Sequence, residues 1–110
     1  MIKGVGIDIV SVERIGKVLE NYGEKFIDRI LTESEKSELK KKGNVVEFLA
    51  GRFAAKEAIT KTLEKSIPFN KIEITYNDFS KPIAKNFPDI YLSISHEKAF
   101  AVAVAVRVEI

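Results

Sequence analysis

The chain has 110 residues, of which 45% are hydrophobic and 31% are charged, and its formal net charge is +2. This length predicts one domain, spanning residues 1–110, and no apolar run approaches the roughly 20 residues that cross a bilayer, which excludes membrane insertion. The small net charge does not by itself predict nucleic-acid binding, and the absence of cysteine excludes disulfides, thiolate metal sites and cysteine nucleophiles.

The start of the chain lacks a basic region followed by a sustained apolar one and a small-residue cleavage site. We therefore expect a cytoplasmic protein. A single histidine, His96, argues against a multi-histidine zinc site. Any bound metal is expected to be a hard cation held by oxygen atoms.

The first predicted element is a strand over residues 4–10, GVGIDIV. Its alternation places Val5, Ile7 and Ile9 on one face and Gly4, Gly6 and Asp8 on the other. The missing side chains of the glycines leave room for a ligand or another backbone beside the Asp8 carboxylate. Aspartate at such a boundary often caps the next segment, but Ser11 is an equally good cap, which leaves Asp8 free for another role.

Two short helices are predicted next, SVERIGKVLENYG and EKFIDRIL, the first capped by Ser11. Arg14 and Lys17 share a face of the first helix, and Lys25 and Arg29 share a face of the second. A basic, partly apolar surface of this kind suits the docking of an acidic partner. Neighbouring acidic residues dilute the charge, so solvated helix faces are the alternative.

The segment TESE, at residues 32–35, predicts a capping box at the start of a polar helix that runs to Lys42. Gly43 and Asn44 end this helix. We interpret the lysines at 40–42 as a solvated helix end whose charge suits the helix dipole.

The central element is a long helix predicted over residues 47–63, EFLAGRFAAKEAITKTL, which is apolar on nearly all sides and therefore expected to be buried. Four charged residues interrupt it: Arg52, Lys56, Glu57 and Lys61. Buried charges must be paired or must hold a charged ligand, so this helix is expected to present charge inside a pocket. Pairing of the four charges with one another at a domain surface is the alternative.

After Pro68 the pattern changes from helix to strand. Strands are predicted over residues 71–76, 90–95 and 100–108. The last of these, FAVAVAVRV, places valines on one face and alanines on the other, and the alanine face is expected to pack against the alanines of the long helix. Because the first strand must join the later ones, the predicted fold class is α+β, with a long central helix packed on a mainly antiparallel sheet.

Asp8 and Glu57 are the best candidate pair of carboxylates. Two carboxylates with few other protein ligands suit Mg²⁺, which keeps waters and completes its octahedron with substrate phosphate. Arg52, Lys56 and Lys61 would supply positive charge to the remaining phosphate oxygens. This combination predicts a phosphate-bearing substrate.

His96 lies in a predicted turn between two strands. A histidine in this setting is commonly hydrogen-bonded to the backbone. Its neighbours Ser93 and Ser95 make a phosphate or ribose contact the alternative interpretation.

Three stretches, GIDIVSVERI, FLAGRFAAKEAITK and SISHEKAFAVAVAV, occur in this order and closely resemble the holo-acyl-carrier-protein synthases, the short bacterial phosphopantetheinyl transferases. The resemblance covers almost the whole chain and includes ILTESE. It implies a 4'-phosphopantetheinyl transferase-like fold and a homotrimer with active sites between subunits. The implied reaction, in fatty acid biosynthesis, moves the 4'-phosphopantetheine group of coenzyme A to a serine hydroxyl of apo acyl carrier protein and releases adenosine 3',5'-bisphosphate.

The resemblance also assigns site residues. Asp8 and Glu57 would bind Mg²⁺, on which the coenzyme A pyrophosphate would lie. Arg14 and its helix would dock the acidic carrier protein, while Arg52, Lys61 and His96 would lie in the coenzyme or reaction region. Glu57 and Lys61 are the candidate catalytic residues, but the proton acceptor stays open between Lys61, if its pKa is strongly lowered, and a metal-associated water.

Two segments depart from the family pattern. LEKSIPF, at residues 63–69, stands where most members have a glycine-rich LGTG turn, and DFSKP, at 78–82, stands where they have an NGKP-like turn. Contacts of the first loop to the coenzyme are therefore not expected to follow the family. A non-catalytic carrier-protein-binding module with a vestigial metal site and a different phosphoryl-transfer enzyme are the alternative functions.

Overall fold

A computed structural model describes all residues, 1–110. The elements in chain order are β1 (Ile2–Ser11), α1 (Val12–Tyr22), α2 (Glu24–Ile30), α3 (Glu33–Leu39), α4 (Val45–Thr60), a 3₁₀ turn (Phe69–Lys71), β2 (Ile74–Tyr76), β3 (Pro82–Ala84), β4 (Ile90–His96) and β5 (Phe100–Val108). None of the helices combines the length and the apolar character that crossing a bilayer requires.

Strands β1, β5 and β4 form one antiparallel sheet with β5 in the centre. Strands β2 and β3 form a separate two-stranded hairpin. The prediction that the first strand joins the last is confirmed. The strand predicted over residues 71–76 is shorter in the structure, because the 3₁₀ turn occupies its start and β2 begins only at Ile74.

Helix α4 packs on the face of this sheet that carries the alanines of β5. Six alanines at this contact are buried: Ala50, Ala54 and Ala58 of α4, and Ala101, Ala103 and Ala105 of β5. Small side chains on both surfaces let the helix lie close to the strands, as predicted. The helix ends at Thr60, before the predicted Leu63, and the Arg107 side chain of β5 donates from Nε to the Thr62 carbonyl at 2.7 Å.

Strand β1 crosses α4 at a distance that only glycine permits. A Cβ atom at Gly6 would lie 1.9 Å from the Ala58 backbone oxygen, and one at Gly4 would lie 3.0 Å from the Thr62 backbone oxygen. The backbone of α4 therefore fills part of the room that the two glycines leave. Because Gly4 lies beside Thr62 and Gly6 beside Ala58, β1 runs antiparallel to α4.

The opposite face of the sheet is apolar and open to solvent. On β1, Val5, Ile7 and Ile9 are 60%, 59% and 63% exposed. The strand register continues this face through Val102, Val104 and Val106 of β5 to Tyr91, Ser93 and Ser95 of β4. A continuous apolar surface of this kind is typical of an interaction site.

Alanine substitutions of Gly6 and Gly16 should change stability in opposite directions, because only Gly6 lies at the contact between β1 and α4. Gly6→Ala should destabilise the protein by about 3 kcal/mol, because the new methyl group meets backbone that cannot move aside. Gly16→Ala, within α1, should stabilise it by about 0.5–1 kcal/mol, since the nearest side-chain atom to that Cβ is at 3.6 Å and alanine is the better helix former. Urea denaturation measures both changes, and a Gly6→Ala variant of wild-type stability would contradict the close approach.

Candidate active site

The charged residues of α4 divide into a buried network and a more exposed edge. In the network, Lys56 is 0% exposed and Glu35 is 1% exposed. The Lys56 Nζ donates to Glu35 Oε1, to the Ile30 carbonyl at 2.6 Å and to the Phe69 carbonyl at 3.1 Å, which uses all of its hydrogen-bond donors. Burial lowers the pKa of Lys56, and its ion pair with Glu35 opposes this shift.

Lys56 therefore does not occupy the position we predicted for a substrate-binding cation. Its charge is met entirely by protein groups inside the core, and its side chain reaches no pocket. The expectation that the helix presents its charges inside a pocket is wrong for Lys56, because this charge is paired within the core instead. Its position argues against direct contact with substrate, because full burial removes the ammonium group from any ligand.

Glu35 belongs to the predicted capping box of α3. Its Oε1 accepts from the Thr32 backbone N–H at 2.9 Å, while the Thr32 hydroxyl caps the helix in return. The other oxygen, Oε2, accepts from the Ile74 backbone N–H at 3.0 Å and from Arg52 Nε at 3.3 Å. One carboxylate thus joins α3, α4 and β2.

Arg52 is held on every side. Besides its bond to Glu35, it donates from its two terminal nitrogens to the Tyr76 hydroxyl at 3.3 Å and to Glu38 Oε2 at 3.2 Å. Its guanidinium carbon lies 4.4 Å from the centre of the Phe48 ring and 5.2 Å from that of Tyr76. Two aromatic rings and three acceptors therefore fix both its plane and its direction.

Arg52 lines a pocket of about 260 Å³ among the end of α3, the start of α4 and the end of β4, which we call the α3–α4 pocket. Its other lining residues include Lys42, Glu47, Phe48, Tyr76 and His96. Arg52, Lys42 and His96 supply hydrogen-bond donors and two aromatic rings supply flat surface, which suits a ligand with anionic and planar parts, while Glu38 and Glu47 form the acidic part of the lining.

His96 reaches this pocket from the last position of β4. Its side chain is half exposed, and Nδ1 lies 3.4 Å from Glu47 Oε1. Lys42 was missed as a pocket residue, because its run of lysines reads as a solvated helix end. Its Nζ lies 3.9 Å from Glu38 Oε1 and faces the same pocket. The turn at Gly43 and Asn44, which folds the end of α3 onto the start of α4, was the available signal.

Asp8 and Lys61 form the exposed edge of the α4 charges. Lys61 Nζ donates to the Ile7 carbonyl at 2.8 Å and lies 3.9 Å from Asp8 Oδ1. Burial is the main influence on the Asp8 carboxyl and raises its pKa, while the charges of Lys61 and then Arg14 oppose this shift. Asp8 is therefore a partly desolvated carboxylate without a close hydrogen-bonding partner.

Glu57 lies one helical turn before Lys61 on α4, so the two side chains share a face. Since β1 runs antiparallel to α4, the step from Gly6 to Asp8 moves about 7 Å along the strand and about one turn toward the start of the helix. Asp8 therefore lies level with about Ala54, one turn before Ala58, and the Glu57 side chain leans in that direction because helical side chains tilt toward the N-terminus. Glu57 is half-buried and makes no hydrogen bond or ion pair with another side chain.

A second surface is formed by α1 and α2. A depression of about 690 Å³ is lined by Val18, Tyr22, Lys25, Phe26, Asp28 and Arg29. Arg14 lies exposed on the first turn of α1, and its charge acts on Asp8. The depression thus combines Lys25 and Arg29 with apolar residues of both helices, whereas Arg14 lies outside it and near Asp8.

Comparison with known proteins is consistent with this geometry. A model of the 4'-phosphopantetheinyl transferase superfamily matches residues 4–105. The holo-[acyl-carrier-protein] synthase of Thermodesulfovibrio yellowstonii is 46% identical over 112 residues, covering 96% of this chain and 98% of that protein.

Solved structures of similar proteins have the same fold. The holo-[acyl-carrier-protein] synthase of Neisseria meningitidis matches with a TM-score of 0.90 at 34% identity, covering 99% of this chain and 100% of that chain. A holo-(acyl-carrier-protein) synthase of Bacillus anthracis, in complex with CoA (3',5'-ADP), matches with a TM-score of 0.86 at 43% identity, covering 97% of this chain and 96% of that chain. The predicted α+β fold class and the family resemblance are confirmed.

The raised pKa of Asp8 predicts that its charge opposes folding. The folded protein holds the Asp8 proton more tightly than the unfolded chain does, so the penalty is present above the folded-state pKa and disappears as the pH falls below the unfolded-state pKa. Asp8→Asn should therefore raise the melting temperature at neutral pH without divalent metal, and the gain should shrink in acid.

Thermal denaturation across this pH range measures the difference. Asp78→Asn, on the exposed turn after β2, is the matched control and should leave stability unchanged at each pH. A less stable Asp8→Asn protein at neutral pH would instead make Asp8 a stabilising partner of Lys61.

Proposed function

The chain belongs to the 4'-phosphopantetheinyl transferase superfamily, and on this premise we propose that its Asp8 and Glu57 hold a Mg²⁺ ion in the transfer of 4'-phosphopantetheine to a carrier protein. The enzyme transfers this group from coenzyme A to a serine hydroxyl of apo acyl carrier protein. The products are holo acyl carrier protein and adenosine 3',5'-bisphosphate, and the reaction serves fatty acid biosynthesis.

The observation that carries the Mg²⁺ assignment is the pair of carboxylates at the edge between β1 and α4. Both are partly buried, neither has a close hydrogen-bonding partner, and the pKa of Asp8 is raised by burial. No cluster of three or more acidic, histidine or cysteine side chains that could hold a metal occurs in the protein. A site with two carboxylates fits Mg²⁺, which takes few protein oxygens and keeps places for water and phosphate.

When bound, this ion would neutralise charge on the coenzyme pyrophosphate and stabilise the leaving group. Lys61 adds a cation at the same edge. Its side chain is half exposed and donates to the Ile7 carbonyl. This placement supports a role in holding a phosphate oxygen rather than in accepting the serine proton. Glu57 as a metal ligand and Lys61 as a phosphate ligand are therefore the proposed catalytic residues.

The α3–α4 pocket is the proposed site for the rest of coenzyme A. Arg52 and His96 retain the coenzyme-binding roles that the resemblance implies, and Lys42 joins them as a third group for phosphate oxygens. The Phe48 and Tyr76 rings beside Arg52 offer surface to a planar base. The relative from Bacillus anthracis was solved in complex with CoA (3',5'-ADP), which supports coenzyme A as the ligand of this chain.

The surface of α1 and α2 is the proposed docking site for the acidic carrier protein. Arg14, Lys25 and Arg29 supply positive charge, and Tyr22 and Val18 supply apolar area. Arg14 lies near enough to Asp8 for its charge to act on that carboxylate. A carrier protein bound here would therefore bring its serine close to the metal edge.

The exposed apolar face of the sheet supports the proposed homotrimer. Ile7 and Ile9 flank Asp8 on β1, and a small depression joins them to Lys61 and Val102. Coverage of this face by other copies of the chain would bury it and place the metal edge at a subunit boundary. A single domain over residues 1–110 and a cytoplasmic location remain our predictions.

The non-catalytic alternative is a carrier-protein-binding module, and turnover separates the two. We expect the protein, with apo carrier protein, coenzyme A and Mg²⁺, to add one phosphopantetheine to the carrier, as measured by intact-mass spectrometry. Asp8→Ala and Glu57→Ala should each lower kcat/KM by at least about a hundredfold, because each removes a metal ligand.

Glu64→Ala is the matched control, since this exposed glutamate follows α4 and pairs only with Arg107. It should retain wild-type transfer. Carrier binding without any mass addition by the wild-type protein would favour the binding module. Near-normal rates for either carboxylate variant at saturating Mg²⁺ would contradict the metal assignment.

The trimer proposal predicts that Val104→Asp gives a folded monomer with little activity, because the charge lies at the centre of the apolar sheet face. Light scattering after size-exclusion chromatography measures the mass, and circular dichroism measures the fold. Tyr22→Asp, which removes an exposed aromatic ring from α1, should keep the mass of three chains. A wild-type monomer with full activity would contradict the proposal.

A further inference from the structure

We propose that Glu35 is a positioning residue for coenzyme binding, which orients the Arg52 guanidinium toward the α3–α4 pocket. The inference rests on the proposed function, since it takes Arg52 to contact coenzyme A. Glu35 is itself 1% exposed and does not reach a ligand, and among the residues that it bonds only Arg52 lines the pocket.

The geometry of Arg52 explains why an anchor is needed. Its guanidinium has five N–H donors on a flexible stem. The contacts to Glu35, Glu38 and Tyr76 engage three of its nitrogens once each, which leaves two N–H groups for a ligand in the pocket. Loss of the contact at Nε would free the group to turn about its stem and would misdirect those two donors.

Glu35 is the only fully buried member of the three acceptors. The Glu38 side chain is 34% exposed and Tyr76 is 44% exposed, so water competes for both of them as hydrogen-bond partners. Glu35 is instead fixed by the Thr32 and Ile74 backbone N–H groups and by Lys56. A buried carboxylate with four donors holds the Arg52 guanidinium in one orientation more firmly than an exposed carboxylate does.

Lys56 provides a matched control, because it shares Glu35 but not Arg52. Its remaining contacts go to the Ile30 and Phe69 carbonyls, and it does not line the pocket. Lys56→Met should therefore weaken the fold while leaving Arg52 paired and oriented. A purely structural role for Glu35 would make the two residues equivalent.

The experiment measures the coenzyme A Kd by calorimetry, the KM for carrier protein and the melting temperature. Glu35→Gln leaves two cations with one fewer buried anion and is at risk of misfolding, so the Glu35→Gln/Lys56→Met double variant removes one cation as well. We expect this double variant to raise the coenzyme Kd about tenfold over Lys56→Met, as loss of a supporting contact typically does. The KM for carrier protein should stay within about twofold, since docking lies on another surface.

Arg52→Gln completes a double-mutant cycle with Glu35→Gln, which measures how far the two residues act together. In the Arg52→Gln/Lys56→Met background, adding Glu35→Gln should change the coenzyme Kd by less than about twofold, because the proposed effect of Glu35 passes through Arg52. Equal coenzyme affinity of Lys56→Met and the double variant, or additive effects of Glu35 and Arg52, overturns the inference. Wild-type coenzyme affinity in Arg52→Gln overturns it too. A wild-type protein that binds no coenzyme A overturns the proposed function and the inference with it.

Discussion

The buried carboxylate of Glu35 is the interaction on which the helical half of the protein depends. Its oxygens accept from the start of α3, from two cations of α4 and from the first residue of β2. Lys56 extends the same network to the carbonyls of Ile30 and Phe69. Elements that are far apart in the chain therefore meet at one charged group, and α4 keeps a fixed rotation with respect to all of them.

A buried ion network is weak support for high stability, because desolvation of the charges offsets their attraction. Its value here is specificity. Apolar side chains could fill the same volume in many arrangements, whereas a carboxylate with four donors accepts few. All buried side-chain polar atoms of the protein have hydrogen-bond partners, so the network carries no unpaired group that would favour a competing packing.

Much of this fold follows from local signals in the sequence. The TESE segment specifies the start of α3, and the alternation of FAVAVAVRV specifies both faces of β5. The pocket was harder to predict, since Lys42 and Tyr76 come from separate elements that meet only when α3, α4 and β2 assemble. Lys56 shows the opposite limit: helical periodicity indicates that it is buried, but the acceptors that meet its charge are supplied by three other segments.

The adjacent residues Lys56 and Glu57 show how one helix serves both the structure and the proposed metal site. One residue turns an α-helix by about 100°, so Arg52 and Lys56, four apart, face the Glu35 network, while Glu57 and Lys61, also four apart, face the edge of β1. The two pairs cannot move independently, because they share one backbone. On the side of α4 that faces away from the Glu35 network, contact between the Gly6 and Ala58 backbones sets how closely β1 approaches the helix. The rotation of α4 is thus fixed by buried charge on one side and by a glycine contact on the other, and both contacts set where Glu57 lies relative to Asp8 on β1.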